Sequence, residues 1–153
     1  MNVKNALTAG FVATVVLSVC QIAAHAAGLL PTFDLIALIA NVVSMATGGA
    51  PNPIAGWVVH FCIGTVLWGV GYASVESRLP GPPAVRGMVF SAGAWLVMMI
   101  VLMPIAGAGV FGLSLGPSVP VAILMLHLIF GATLGIVHAK SEGGAARDDV
   151  VPR

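Results

Sequence analysis

The sequence predicts an all-α, polytopic membrane protein: a four-transmembrane-helix bundle with one short extra helix that does not span. Three observations carry this. Hydrophobic residues make up 59 % of the 153-residue chain and charged residues only 7 %, where a soluble domain carries about 25 % charged residues. Four apolar stretches reach the roughly 20 residues that a helix needs to cross the hydrocarbon. With those four spans, all six Lys and Arg fall on one side of the membrane.

The first span, about 5–30, begins after Lys4 and stops before Pro31, whose ring cannot continue a helix. Its Ala24-His25-Ala26 end mimics a signal-peptide cleavage site, but the apolar stretch is longer than a signal core, so it reads as a span. The next apolar piece, "DLIALIANVVSMA" (34–46), covers only about 20 Å as a helix. Asp34 is its N-cap, and the helix lies at the interface or in the mouth of the bundle. Turn-forming "GGAPNP" (48–53) opens the second span, about 54–75, with Pro53 in the first turn. The proline-stiffened loop "ESRLPGPPAVRG" (76–87) leads to the third span, about 87–110, whose last turns Pro104 should kink. The fourth span, about 120–139, completes a transmembrane domain over 1–139. The remainder, 140–153, reads as a loosely ordered polar cytoplasmic tail.

Charge placement supports this count. Lys4, Arg78, Arg86, Lys140, Arg147 and Arg153 lie at the termini or in the 76–87 loop, and the connections 31–53 and 111–119 carry no Lys or Arg. The positive-inside rule then puts both termini in the cytoplasm. A fifth span at 34–46 would move the 76–87 loop outside and break the segregation. Net charge is +1, without a basic patch, so nucleic acid is not an expected partner; the lipid bilayer is. Cys20 and Cys62 sit in apolar runs and read as buried thiols.

"HFCIGTVL" (60–67) and "HLIFGATL" (127–134) share H-x-x-x-G-x-x-L. Both run outside to inside. The first and third spans, opening near Gly10 and Gly87, run the other way. This suggests a tandem repeat of two helical hairpins related by an axis along the membrane normal. Three identities in eight positions also arise by chance in low-complexity membrane sequence, and both accounts stay open.

Packing is the leading reading of the octets. His60/Gly64 and His127/Gly131 are i, i+4 pairs, Gly131 and Gly135 form G-x-x-x-G, and Gly64 and Gly71 share a face. Such notches let helices approach closely while a histidine hydrogen-bonds across. Metal binding is the runner-up. His60, His127 and His25 each lie about 9–10 Å below the outer end of their helix, with Cys62, Met103 and Met125 near the same level. That set suits Cu(I) or Zn(II). Haem b between His60 and His127 ranks lower, because the outer loops offer no Lys or Arg to its propionates. A small-solute or proton pathway ranks last. The spans hold no Asp, Glu, Lys or Arg, leaving Gln21, Thr14, Thr65, Thr133 and the histidines. Trp57 and Tyr72 read as interfacial aromatics, Trp68 and Trp95 as packing residues, and His138 as a headgroup contact. No Walker loop, H-E-x-x-H or G-x-S-x-G occurs, so an enzyme is not expected.

Four segments, "AGFVATVVLS" (9–18), "HFCIGTVLWGVGYA" (60–73), "RGMVFSAGAWLVMMIVLMPIAGAGVFG" (86–112) and "HLIFGATLGIVHA" (127–139), make the chain resemble a family of uncharacterised bacterial inner-membrane proteins with four helices. The resemblance implies the fold and the bacterial inner (plasma) membrane, and supplies no activity or catalytic residue. The expected function is a non-enzymatic accessory or scaffold subunit of a larger membrane complex, or a self-associating homo-oligomer with the glycine faces as contact surfaces.

Overall fold

Four helices of the computed structural model are long and apolar enough to cross a membrane. The structure describes residues 2–148, the side chains only as far as residue 143, and contains no strand among them. The spanning helices are α1 (Val3–Ala26), α3 (Pro53–Arg78), α4 (Pro83–Ile105) and α5 (Val119–Asp148). The short α2 (Leu35–Thr47) precedes α3, and a 3-10 turn over Val110–Leu115 joins α4 to α5.

Local chemistry sets the ends. The side chains of Asn2, Asp34 and Asn52 accept from the backbone N–H groups of Asn5, Ala37 and Ile54, satisfying donors that a helix start leaves orphaned. Pro53 and Pro83 stand in first turns, where a fixed φ helps and no N–H is missed. Pro83 therefore starts α4 four residues earlier than the expected 87. In α1 the helix stops at Ala26 rather than running to 30. Gly28 takes φ +71°, its N–H donates to His25 O at 3.0 Å, and the Leu29 N–H reaches Ala24 O at 3.0 Å. This is a glycine-terminated helix end, completed before Pro31 is reached. α4 ends at Ile105 rather than 110. The helix of α5 continues past 139 to Asp148 instead of giving way to a loose tail; residues 149–153 of that expected tail lie outside the described residues.

Two π turns interrupt the spans, at Ile63–Trp68 in α3 and Met98–Leu102 in α4. The second has a visible cause. Pro104 lacks an N–H and its ring crowds the carbonyl four residues back. The ladder widens just before it, and the Met103 N–H bonds to Met98 O, five residues back. The expected proline kink is met as a π turn.

α1 packs between α3 and α5, and α5 between α1 and α4; α3 and α4 meet at Phe90, whose ring lies 5.9 Å from that of Trp68 and 5.5 Å from that of Tyr72. The core between α1, α4 and α5 is filled by Ala9, Ala13, Met99, Ile123, Phe130 and Leu134. Phe11, Val19, Ile54 and Val121 stand exposed on the outer faces, as lipid-facing side chains do. α2 lies against α3 because Gly56 has no side chain: a Cβ there would come 2.6 Å from Ile36 O. Ala6 meets Gly69 and Pro83 meets Gly135 at one level. Lys4, Arg78, Arg86 and Lys140 thus gather at one end of the bundle, and Asp34 lies toward the other.

Candidate functional site

The two hairpins are closed by equivalent contacts. On α1, Ala6, Gly10 and Thr14 recur every four residues along one face, as Pro83, Gly87 and Ser91 do on α4. A Cβ on Gly10 would lie 2.6 Å from Thr65 O and 3.0 Å from the Gly69 Cα; one on Gly87 would lie 2.7 Å from the Gly131 carbonyl carbon and 3.0 Å from Gly135 N. Thr14 faces Gly64, and Ser91 faces Gly131. The expected packing glycines Gly64, Gly131 and Gly135 are therefore consumed inside the chain. Gly71 looks onto the Phe90 ring, 3.4 Å from where its Cβ would be. The expected glycine-lined surface for self-association is absent from these positions.

One difference separates the hairpins. Gly64 and Gly69 are five residues apart, whereas Gly131 and Gly135 are four apart. The π turn of α3 absorbs the extra residue, since a π turn holds one residue more than an α turn. Between α3 and α4 lies a cleft of about 230 Å³. Ile63, Leu67 and Trp68 from one π turn and Met98, Val101 and Leu102 from the other form its walls, and Leu35 and Ile39 of α2 border it. Both π turns line this one cavity, and π turns recur at functional sites.

His60 and His127 line the same cleft. His60 is 6 % exposed, and its Nε2 lies 3.0 Å from Ser18 Oγ. The Ser18 hydroxyl donates its one proton to Thr14 O at 2.8 Å. Ser18 Oγ must therefore accept from His60 Nε2–H, and in the neutral ring Nδ1 keeps its lone pair. His127 Nδ1 lies 3.0 Å from Ile123 O. A carbonyl only accepts, so Nδ1 carries the proton and Nε2 keeps the lone pair. Thr14, the other hydroxyl in the lining, donates to Gly10 O at 2.7 Å. Each imidazole thus has one acceptor nitrogen left over in a cavity that is otherwise almost wholly apolar.

The rest of the expected metal set disperses. His25 sits in the last turn of α1, not two turns below its end. Its Nδ1–H donates to Leu30 O at 3.2 Å, and it lines a separate recess with Gln21, Asp34 and Trp57. Cys62 and Met125 are exposed and Met103 is buried in the core. Cys62 departs from the buried thiol expected because its face of α3 looks away from the bundle. The cleft, at about 230 Å³, lies just below the roughly 300–1,000 Å³ of pockets for drug-sized ligands. Two residues assigned to the interface are inside: Tyr72 is fully buried and His138 is 1 % exposed, their rings in edge contact at 5.6 Å. The signal for them was the one-residue offset. Gapping the repeat at the π turn pairs Gly69 with Gly135 and Tyr72 with His138.

Fold and site together define a class: an all-α bundle with four helices of membrane-spanning length and a lateral apolar cleft carrying a histidine pair. The chain belongs to the family of unknown function DUF6789, whose model matches residues 1–148. No curated protein and no solved structure matches it.

Proposed function

We propose that this chain is a non-enzymatic multi-pass protein of the bacterial inner (plasma) membrane, both termini cytoplasmic, that holds a membrane-dissolved molecule in the α3–α4 cleft. The molecule is an apolar ring bearing hydroxyl donors, of the phenol or hydroquinone class. The observation that carries this reading is the pair of imidazoles, each left with an acceptor nitrogen, in an otherwise apolar cavity. Two acceptors in a dry site select a ligand with donors, since a buried polar group without a partner costs about 1–3 kcal/mol. The volume suits a substituted ring: a cavity of about 150 Å³ already holds benzene. The ligand enters from the lipid, between α3 and α4. In this role the chain acts as an accessory subunit, presenting or storing a ligand for a partner complex. The sidedness rests on Lys4, Arg78, Arg86 and Lys140 sharing one end of the bundle.

The test is binding of decylhydroquinone and of its dimethyl ether to the purified protein in detergent, read from tryptophan fluorescence, Trp68 being part of the wall. The hydroquinone should saturate, and the ether, lacking both donors, should bind about 30-fold more weakly for two lost hydrogen bonds of about 1 kcal/mol each. His127→Phe should cut that preference to about 5-fold, since His60 still accepts from one hydroxyl. Equal binding of both probes refutes the reading. Stoichiometric copper or zinc that His60→Ala removes would favour the same nitrogens as metal ligands instead.

A further inference from the structure

At the charged end of the bundle stands a second group of side chains that the cleft does not use. His138 of α5 is 1 % exposed, and neither of its ring nitrogens has a hydrogen-bond partner. Each nitrogen faces a carboxylate: Nδ1 lies 4.0 Å from Glu76 Oε2, and Nε2 lies 3.9 Å from Glu142 Oε1. Both gaps exceed a hydrogen bond. One ligand atom from each of Glu76, His138 and Glu142 comes within 4.8 Å of the other two. Among the described residues this is the group of three His, Cys, Asp or Glu side chains that converges in this way.

We propose that Glu76, His138 and Glu142 bind a divalent transition-metal cation of the Zn²⁺ class. One imidazole and two carboxylates form the borderline N/O set such ions take, with a fourth position left to water. His138 and Glu142 are i, i+4 on α5 and share a face. Glu76 comes from the 3-10 turn that ends α3, one turn beyond Tyr72, whose ring meets that of His138 edge-on. Bonds of about 2.0–2.2 Å put ligands roughly 3.4 Å apart around a tetrahedral ion. The ion takes one ring nitrogen, so both carboxylates must close in on that same nitrogen, from separations within 4.8 Å to about 3.4 Å. Both can do so by side-chain rotation, since Glu76 is 21 % and Glu142 45 % exposed, while the Tyr72 ring at 5.6 Å fixes the imidazole. Arg86 Nη1 lies 3.9 Å from Glu76 Oε2 and gives up that contact to the ion; its Nε–H bond to Gly81 O at 2.8 Å keeps it in place. With a neutral imidazole the two carboxylates and one guanidinium leave a net charge of −1 to receive the cation.

The experiment uses the full chain, purified in detergent without a histidine tag, stripped with chelator and dialysed against Zn²⁺ with elemental analysis. One Zn²⁺ per chain should bind saturably. Glu142→Gln, at a half-exposed side chain, leaves the fold intact and should weaken binding at least tenfold. His138→Gln should abolish it, and His60→Ala/His127→Ala should leave it unchanged. Absence of a saturable site in the full chain, or wild-type binding by Glu142→Gln, overturns the proposal. So does loss of the site on substituting His60 and His127. If His138→Gln fails to fold, Glu142→Gln and Glu76→Gln decide by the same criterion.

Discussion

Replacing Gly131 by Ala tests whether the α4–α5 crossing is held by backbone contact. The new methyl would lie 2.6 Å from the Gly87 carbonyl carbon and closer still to Gly87 O and Ser91 Oγ. Carbon–carbon contacts settle near 3.5–4.0 Å, so the deficit is about 1 Å. The opposing atoms are mostly backbone, and no rotamer change relieves them, so the helices must part by about that distance. Parting stretches the Ser91 Oγ–H bond to His127 O, now 2.6 Å, out of hydrogen-bond range. Overpacking costs about 1–3 kcal/mol and the lost hydrogen bond about 1 kcal/mol more, giving about 2–4 kcal/mol. Reversible SDS unfolding followed by circular dichroism should register a shift of about 30- to 700-fold in the unfolding equilibrium, at 1.4 kcal/mol per decade. The control is Gly93→Ala on α4, where a Cβ meets nothing within 4 Å. It should be neutral or stabilise by up to about 1 kcal/mol through helix propensity. If Gly131→Ala is no more damaging than Gly93→Ala, the crossing does not depend on glycine and the reasoning fails.

Tyr72→Phe should raise stability by about 1 kcal/mol in the same assay, because the Tyr72 hydroxyl is buried without a partner and its removal ends that penalty; a loss of stability would mean that the hydroxyl is satisfied in the membrane. Ser18→Ala takes away the acceptor for His60 Nε2–H and should cost about 1–3 kcal/mol while freeing the ring to turn, with the hydroquinone-over-ether preference reduced; unchanged stability and preference would contradict the assigned tautomer. Ala94→Phe, from a 3 % exposed residue of the cleft lining, should preserve helical circular dichroism and eliminate saturable hydroquinone binding; retained binding would put the probe elsewhere.

The spans were legible because length and hydropathy decide them and nothing in the sequence competes. The charge pattern was legible for the same reason, Lys and Arg being excluded from the apolar runs. Boundaries were less so. The Gly28 turn overrides an apolar run that would carry α1 on to Pro31, and α5 extends through a polar segment whose composition resembles a loop. His60 and His127 stand out because a histidine in an apolar run is conspicuous, and both line one cleft. His25 was misplaced with them, since moving the end of α1 back to Ala26 put it in the last turn. Tyr72 reads as an interfacial aromatic because it lies near the end of its span, and His138 as a headgroup contact because it lies beside Lys140. Sequence distance from a charge does not reveal which face of a helix a residue occupies, and the α3–α5 contact turns both inward.

That contact depends on the π turn of α3, which leads to a sharper expectation. "HFCIGTVLWGVGYA" (60–73) and "HLIFGATLGIVHA" (127–139) align throughout if Trp68 is treated as the inserted residue. Gly69 then matches Gly135, which meet Ala6 and Pro83 in the same way, and Tyr72 matches His138. The extra residue is itself part of the cleft wall, and α5 contributes no residue in its place. The cleft therefore belongs to the departure from the repeat rather than to the repeat. Deleting Trp68 should convert the π turn to α, keep both glycine crossings in register, preserve helical circular dichroism and remove hydroquinone binding measured by equilibrium dialysis, which does not need Trp68 as reporter. Deleting Leu134, where no π turn can absorb the change, rotates the rest of α5 by about 100°. It carries Gly135 off Pro83 and His138 off Tyr72, and that variant should not fold. Equal damage from the two deletions would mean that the five-residue spacing of Gly64 and Gly69 is required for folding, and the cleft would then be a by-product of packing.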